Sequence, residues 1–338
     1  MLPLVFLLVG CGPHGKNLRD LMISAEKKGF SGSVLVVHHG DVLHDEGYGE
    51  AVRGSEPFTP ETVSSIGSLT KQFTAAGLLR AEEEGFVVSG DKVNKYVDTR
   101  NDFVDITLHQ VMSHQSGLVD SIGADEDKIG KEKWLKQVWE TDLDFKPGEG
   151  FGYSNVGFGV AAAVLEDVTG MDYEAWLRQE LFLPAGMFHT GYDDPDWSDS
   201  VVAEGYHKKD EYGDALGLDM GPDDYWHVVG NGELLSTTED MHSWLKALTG
   251  GTVLSQESVD LLFSVHSENG KAGYGYGWGI EETDFGTAIE HDGSNGFYFS
   301  HLIWWPDQEL FVFYLSNDRR AWTPDFAWDI STAVLDPK

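Results

Sequence analysis

The sequence contains a single cysteine, Cys11, among its 338 residues. One cysteine excludes an internal disulfide and any site built from several thiolates. Basic residues are also few, since 23 Lys and Arg against 57 Asp and Glu give a formal charge of −34. So strong an acidic excess repels nucleic acid and anionic membrane surfaces, and we expect no nucleic-acid partner. The acidic residues are spread along the chain, which is typical of a solvating surface.

Long apolar runs are missing as well. The apolar run at the N-terminus, residues 2–9, is too short to span a bilayer as a helix. It leads to Leu8-Val9-Gly10-Cys11, which resembles the lipobox of bacterial lipoproteins, where the signal peptide is cut before a lipid-carrying cysteine. The basic residues that usually open a signal peptide are absent, so an ordinary frayed N-terminus is the alternative.

This N-terminal pattern predicts three segments. Residues 1–10 are the expected lipoprotein signal peptide, residues 11–28 a lipidated tether with an N-terminal helix, and residues 29–338 one folded domain. A lipid on Cys11 would anchor the protein to a membrane. We therefore expect an extracytoplasmic protein, in the periplasm or the cell envelope.

Two common catalytic signatures are absent. No His-Glu-x-x-His occurs among the 13 histidines, and the neighbours His38 and His39 would face opposite sides of a strand. We therefore expect no metal ion and no cofactor. No Gly-x-Ser-x-Gly occurs either, which disfavours the nucleophile elbow of an α/β-hydrolase.

The chain does contain a serine and a lysine three residues apart, Ser68 and Lys71, at the start of a segment with helical periodicity. Residues i and i+3 lie on one face of a helix, so the Lys71 amine can reach the Ser68 hydroxyl. A base at this distance turns a serine into a nucleophile. The apolar residues that follow are spaced by four, three and three: Leu69, Phe73, Ala76 and Leu79.

The setting of Ser68 distinguishes it from three other serines with the same spacing. A glycine precedes Ser68, the segment after it is apolar with small residues, and no acidic residue lies within several positions. A solvated helix face is the alternative for any one such pair. The other pairs flank charged or glycine-containing segments: Ser24/Lys27, Ser89/Lys92 and Ser243/Lys246.

Strand patterns concentrate at the two ends of the chain. Residues 33–48 predict a hairpin, whereas residues 59–248 favour helices, one of them capped by Thr238. This order predicts an α/β fold of the α+β type, with one antiparallel sheet from both termini and a helical lobe inserted between its halves. Further strand-like runs and a final helix lie at residues 276–281, 287–290, 297–305, 310–315 and 326–335.

A second group of candidate residues, Tyr153 and Asn155, lies in a glycine-rich segment. In an extended chain, residues two apart point to the same side. We expect the phenol to shuttle a proton once a nearby ammonium lowers its pKa. The amide would donate to a substrate carbonyl while it accepts from the lysine. A glycine-rich loop with an aromatic anchor is the alternative.

A third candidate segment contains His291, Gly293 and Ser294. A hydrogen-bonding residue on an edge strand, followed by glycine, lets a substrate backbone approach closely. The Ser294 N–H would serve as an oxyanion donor beside the Ser68 N–H.

The position of this segment favours it over similar short patterns. We expect the strand that follows it, residues 297–305, to neighbour the N-terminal hairpin. The patterns that compete with it are His38-His39-Gly40, His189-Thr190-Gly191 and Lys271-Ala272-Gly273.

In chain order, Ser68-x-x-Lys71, Tyr153-x-Asn155 and His291-x-Gly293 resemble the three motifs of the penicillin-recognising serine hydrolases. The group that they resemble most holds class C β-lactamases, D-alanyl-D-alanine carboxypeptidases, D-amino-acid amidases and related esterases. The resemblance implies a β-lactamase/transpeptidase-like fold for the domain and an acyl-enzyme mechanism. Flanking stretches agree with it, and lie at residues 111–118, 232–237 and 276–279.

The resemblance also implies a role for each motif residue. Ser68 would be the nucleophile, with Lys71 and Tyr153 as the proton-transfer pair. Asn155 would position the substrate, and His291 would take the place of the third-motif residue. Which base acts first is disputed in this superfamily.

One position departs from the pattern of class C β-lactamases, which carry Lys where this chain has His291. A lysine offers a permanent charge to a substrate carboxylate, and a neutral histidine binds it more weakly. The histidine therefore favours the carboxypeptidase and esterase branches over efficient cephalosporin hydrolysis.

The expected substrates are small molecules or pieces of peptidoglycan, namely D-alanyl peptides or amides, esters or β-lactams. We expect loops 120–133 and 193–227 to wall the cleft and the protein to be a monomer. One alternative is a carboxylesterase with little peptidase or lactamase activity. Another is a non-catalytic penicillin-sensing or peptidoglycan-binding module, which would not need the complete set of Ser, Lys, Tyr and Asn.

Overall fold

A computed structural model describes most of the chain, namely residues 13–100, 103, 105–208, 211–213, 224–270, 272–318 and 325–336. The predicted signal peptide, Cys11 and Lys271 lie outside the described residues. Within the described part of the chain, no helix is long and apolar enough to cross a membrane.

The helices lie at both ends of the chain and throughout its middle. A 3₁₀ turn, Gly67–Leu69, leads into the second helix, and a π-helical turn, Arg178–Phe182, joins the sixth to the seventh. In chain order the helices are α1 (Pro13–Lys27), α2 (Thr70–Glu83), α3 (Leu108–Met112), α4 (Lys131–Glu140), α5 (Asn155–Thr169), α6 (Tyr173–Leu177), α7 (Leu183–Ala185), α8 (Thr238–Thr249), α9 (Gln256–Leu262) and α10 (Phe326–Leu335).

The strands form one large sheet and several two-stranded ribbons. In chain order they are β1 (Gly32–His38), β2 (Asp41–Tyr48), β3 (Glu50–Val52), β4 (Glu56–Pro57), β5 (Ser64–Ser65), β6 (Gly205–Lys208), β7 (Glu211–Gly213), β8 (Leu235–Ser236), β9 (Ser267–Asn269), β10 (Ala272–Tyr274), β11 (Gly279–Thr283), β12 (Gly286–Ser294), β13 (Phe299–Trp305) and β14 (Leu310–Ser316).

The large sheet is built from both ends of the chain. Its strand order is β2-β1-β14-β13-β12-β11-β10-β9, and neighbouring strands are antiparallel throughout. The helices α2 to α9 come between its N-terminal hairpin and its C-terminal strands. The predicted architecture, an antiparallel sheet from both termini with an inserted helical lobe, is confirmed.

The strand β14 is covered on both faces of the sheet. Its sequence, Leu-Phe-Val-Phe-Tyr-Leu-Ser, is buried at every position, and alternate side chains enter two separate cores. Val312 and Tyr314 pack in the core with the terminal helices α1 and α10. Phe311 and Phe313 face the helical lobe, where α8 contacts the strand.

The helix α2 lies in the middle of the helical lobe. It packs against α5, α6 and α9, and most of its 14 residues are buried. The ring centroid of Phe73 lies 5.2 Å from that of Phe182 and 4.6 Å from that of Trp244. This packing fixes the first turn of α2, which carries Lys71.

Two expectations about strand neighbours are wrong. The strand β12 contains residues 291–294 but is not an edge strand, because β11 pairs with it as far as Glu290. The strand β13 does not neighbour the N-terminal hairpin, because the fully buried β14 lies between them. Beyond Glu290, one side of β12 has no strand neighbour among the described residues.

The N-cap of α8 is also one residue earlier than predicted. Thr237 has extended backbone angles, and its hydroxyl accepts a hydrogen bond from the Asp240 N–H at 3.2 Å. Thr238 is the first helical residue, and its hydroxyl donates to the Pro60 carbonyl. A threonine in either position fits the sequence pattern, and the tertiary contact with residue 60 decides between them.

Two glycines bring the turn before α2 against β12. Gly67 has a φ of +52°, which favours glycine, and a methyl group on it would lie 2.7 Å from the Ser294 nitrogen. A methyl group on Gly293 would overlap the Ile66 carbonyl oxygen, to which Ser300 Oγ also donates at 2.8 Å. This contact joins the helical lobe to the sheet.

We predict that Gly293→Ala lowers the free energy of unfolding by about 1–3 kcal/mol, as overpacking of a tight contact typically does. The matched control is Gly296→Ala in the following turn, where a methyl group would meet no atom within 4 Å. Thermal unfolding of both variants measures the effect. Equal melting temperatures for Gly293→Ala and wild type would contradict the tight contact.

Candidate active site

The turn before α2 holds the predicted nucleophile. Ser68 lies in the 3₁₀ turn Gly67–Leu69, and Lys71 is the second residue of α2. The predicted helical spacing brings the two side chains together, with Lys71 Nζ 3.1 Å from Ser68 Oγ. Ser68 is half-buried and Lys71 is fully buried.

The amine of Lys71 lies within hydrogen-bonding distance of three oxygen atoms of the described residues. Besides Ser68 Oγ, these are Asn155 Oδ1 at 2.7 Å and the backbone oxygen of Asn231 at 2.7 Å. Asp120 fixes the orientation of the Asn155 amide, because its carboxylate accepts from Asn155 Nδ2 at 3.1 Å. Two partners of the amine therefore only accept hydrogen bonds, whereas the third is a hydroxyl that can donate.

A neutral Lys71 fits these partners. Burial lowers the pKa of Lys71 to about 7, although the nearby carboxylates of Asp120 and Asp292 act in the opposite direction. A neutral amine has two N–H groups and one lone pair. The two N–H groups donate to Asn155 Oδ1 and to the Asn231 carbonyl oxygen, so the lone pair is left to accept from the Ser68 hydroxyl. The site is therefore arranged for proton transfer from Ser68 to Lys71.

Tyr153 also lies beside the predicted nucleophile, Ser68. It precedes α5, whose N-cap Ser154 accepts a hydrogen bond from the Gly157 N–H at 2.8 Å. The Tyr153 phenol lines the cavity together with Ser68, and its ring centroid lies 4.8 Å from Lys71 Nζ. Burial raises the pKa of Tyr153 well above its usual value, and the nearby carboxylates of Asp292 and Asp120 act in the same direction, although the proximity of Ser68 acts the other way. The expectation of a lowered Tyr153 pKa is therefore wrong, because burial and these carboxylates favour the protonated phenol.

His291 lies at one end of a chain of hydrogen bonds. The Ser154 N–H donates to His114 Nδ1 at 3.0 Å, and His114 Nε2 lies 3.2 Å from the Tyr274 hydroxyl. The same hydroxyl lies 3.1 Å from His291 Nε2, and His291 Nδ1 lies 2.6 Å from the Asp292 carbonyl oxygen.

The backbone N–H of Ser154 sets the direction of every bond in this chain. Because His114 Nδ1 accepts, its ring proton is on Nε2 and is donated to Tyr274. Tyr274 in turn donates to His291 Nε2, so His291 carries its proton on Nδ1 and donates it to the Asp292 carbonyl. Burial lowers the pKa of both histidines, in agreement with two neutral rings.

A cavity of about 360 Å³ opens beside Ser68. This volume is in the range of small-molecule sites. The cavity is lined on one side by Phe151 and Tyr153 and on the other by strand β12, including His291 and Ser294. The structure thus brings the three predicted segments to one cleft. The oxyanion role of the Ser294 N–H stays a prediction. Ser294 lies where Gly67, in the turn before α2, contacts β12.

Sequence reasoning missed four groups of this site: Asp120, Asn231, His114 and Tyr274. A regional signal existed for each of them. Asp120 opens the loop expected to wall the cleft, His114 lies within residues 111–118, and Tyr274 comes just before residues 276–279. Asn231 comes just before residues 232–237, but it acts through its backbone oxygen, so its side chain type gave no signal. Among the described residues, no cluster of His, Cys, Asp or Glu could hold a metal ion.

Relatives of known sequence resemble most of this chain. Penicillin-binding protein 4* of Bacillus subtilis is 29% identical over 324 residues, which cover 89% of this chain and 71% of that protein. Protein flp of Staphylococcus aureus is 24% identical over 320 residues, which cover 90% of this chain and 63% of that protein. The chain therefore spans about two thirds of the length of these relatives.

Solved structures share the fold. The octameric penicillin-binding protein homologue from Pyrococcus abyssi superposes with a TM-score of 0.81 at 25% identity, over 95% of this chain and 77% of that one. The penicillin-binding protein from Bacillus halodurans gives a TM-score of 0.79 at 23% identity, over 94% of this chain and 98% of that one.

The model of the Beta-lactamase family matches residues 17–333. This range includes the serine, lysine, tyrosine and asparagine that meet in the cleft, and the sheet and helical lobe that hold them. The resemblance found in the sequence is confirmed, and the chain belongs to the Beta-lactamase family, among the penicillin-recognising serine hydrolases.

Proposed function

We propose that the protein is an active hydrolase of small esters and amides, D-alanyl amides among them, that forms an acyl-enzyme on Ser68. The observation that carries this proposal is the environment of the Lys71 amine. Two obligate acceptors take its two N–H groups, so its lone pair is directed at the Ser68 hydroxyl. A module that only binds has no need of a buried lysine whose pKa lies near 7.

The reaction begins when Ser68 Oγ bonds to the substrate carbonyl carbon and its proton passes to Lys71. The bond from that carbon to the leaving oxygen or nitrogen then breaks, and the leaving group takes the proton from Lys71. Water next attacks the acyl-enzyme and gives one proton to Lys71. That proton returns to Ser68 Oγ as the acid leaves, so the enzyme ends in its starting state.

Other groups of the cleft support this reaction. The Tyr153 phenol remains protonated and donates a hydrogen bond at Ser68 or to the leaving group. The N–H groups of Ser68 and Ser294 would bind the developing oxyanion, and one such donor is typically worth about 2.7–4 kcal/mol. Asn155 keeps the amine of Lys71 in place, and the second N–H of its amide, besides the one donated to Asp120, would donate to the substrate.

The third motif supports weak turnover of β-lactams. His291 is neutral, and both of its ring nitrogens are already bonded. It therefore lacks the fixed charge that a lysine would offer to the carboxylate of a penicillin or cephalosporin. We propose esters and amides as better substrates than β-lactams.

We also propose an extracytoplasmic location, in the periplasm or cell envelope, with lipid on Cys11. The stretch that ends at Cys11 supports the anchor. The name of the Bacillus subtilis relative, a penicillin-binding protein, supports a role outside the cytoplasm. Substrates derived from peptidoglycan would be available there.

We predict that Ser68→Ala abolishes covalent labelling by a fluorophosphonate and by a fluorescent penicillin, together with ester turnover. The matched control is Ser243→Ala, which changes the serine of another pair with the same spacing, on α8. Gel fluorescence of the labelled proteins measures the effect. Labelling that survives Ser68→Ala would disprove the assigned nucleophile, and labelling of the wild type by penicillin without turnover of any ester would favour the penicillin-sensing alternative.

We predict that kcat/KM for a neutral ester rises with pH through about 7 and is level above it. Lys71 must be deprotonated to act as a base, and its pKa is lowered to about 7, so activity is lost below that pH. Lys71→Arg should cost on the order of a hundredfold or more at pH 8, since arginine stays protonated. Lys246→Arg on α8 is the control. If Lys71→Arg lowers kcat/KM less than tenfold and leaves the pH profile unchanged, Lys71 acts only as electrostatic support and not as a base.

A further inference from the structure

Resting on the proposed hydrolase function, we propose that the cavity beside Ser68 selects substrates that carry a positive charge and disfavours those that carry a carboxylate. Asp292 is the specificity-determining residue. The substrate class is thus a cationic ester or amide, such as one with an ammonium group a few bonds from the scissile carbonyl.

The charges that line the cavity are the first support. Among the described residues, the side chains that bring a full charge to its wall are Glu290 and Asp292. The two lie two positions apart on β12 and therefore share a face of the sheet. Asp292 is exposed, and the Glu290 side chain keeps 23% of its surface exposed. Asp292 is therefore the carboxylate open to a ligand in the cavity, whereas Glu290 contributes its charge from the wall, where it is bonded to His301.

Glu290 is held in its charged form. Burial favours the neutral acid, but a hydrogen bond with His301 at 3.0 Å favours the carboxylate, and the pKa of Glu290 is lowered. Its negative charge is therefore a permanent feature of the cavity at neutral pH.

His291 provides no compensating donor. Its Nδ1 proton is given to the Asp292 carbonyl, and its Nε2 accepts from Tyr274. The direction of these bonds is fixed from the Ser154 N–H through His114. A substrate carboxylate next to His291 would meet a neutral ring without a free N–H, flanked in sequence by two acids.

The amine of Lys71 does not offset the negative charge of Glu290 and Asp292. Its N–H groups are bonded to Asn155 and Asn231, and with its pKa lowered to about 7 the amine is only partly charged at pH 7 and mostly neutral at pH 8. The carboxylates of Asp120 and Asp125 also act on it electrostatically, in addition to Asp292. Among the described residues, carboxylates therefore outnumber cations around Ser68, and such a charge distribution attracts cations and repels anions.

Two series of matched esters test the proposal. In the first, the charge is on the acyl part: the p-nitrophenyl esters of 4-trimethylammoniobutanoate, 5,5-dimethylhexanoate and glutarate. In the second, it is on the alcohol: the butyrate esters of choline, 3,3-dimethylbutanol and 3-hydroxypropanoate. Each series holds a cation, a neutral isostere and an anion. Specificity constants are measured at pH 8 in 150 mM NaCl, where exposed charges more than about 8 Å apart are largely screened.

We expect the cationic ester to exceed its neutral isostere about tenfold or more in at least one series, with the anion below both. Asp292→Asn should reduce the cation-to-neutral ratio about fivefold or more. This change is isosteric and leaves the backbone carbonyl that His291 uses. The matched control is Glu281→Gln, an exposed acid on the neighbouring strand β11 outside the cavity lining, which should change the ratio less than about twofold.

A cation-to-neutral ratio near one in both series, or a preference for the anion, would overturn the proposal. So would a ratio that Asp292→Asn and Glu281→Gln change equally, because the net charge of the protein would then explain it. If neutral esters are hydrolysed through Ser68 without a charge preference, the hydrolase function stands and this inference alone fails. If no ester is hydrolysed, the hydrolase function fails, and titration calorimetry with the same esters still measures the charge preference.

Discussion

The site depends on one buried amine. Lys71 has no exposed surface, and a charged ammonium there would lose its hydration. The fold resolves this cost by placing acceptors from two remote segments, Asn155 and Asn231, around the nitrogen. Each of them removes one N–H from the set that could bond to Ser68. The same contacts that make burial tolerable thus leave the lone pair free, as the proposed chemistry requires.

A second constraint is the contact between the two lobes. Ser68 belongs to the helical lobe and His291 to the sheet, so the cleft between them depends on how the two lobes pack together. Gly67 and Gly293 allow the backbone of the turn before α2 to contact the backbone of β12 directly, with no side chain between them. The backbone around Ser68 and β12 is therefore held in place by this contact. The side chains on the cavity wall then determine which substrates the site selects.

Much of this could be predicted from the sequence, because the chemistry is carried by short local patterns. The helical spacing from Ser68 to Lys71 and the strand-rich chain ends are properties of neighbouring residues. The order of the strands was not predictable in this way, since β14 lies between β1 and β13 through its burial on both faces. The raised pKa of Tyr153 and the proton positions of His114 and His291 depend on tertiary burial and on one backbone N–H.

The pairing of residue 32 with residue 316 has a consequence for how the chain reaches its fold. The strand β14 contributes to both cores, and the α1 side also needs α10. Neither core is complete until the last part of the chain is available, and pairings this distant in sequence form slowly. A nascent chain that lacks its final strands therefore stays open for most of its synthesis. Such a chain could pass through a membrane translocation channel before it closes, which is compatible with the proposed location in the cell envelope.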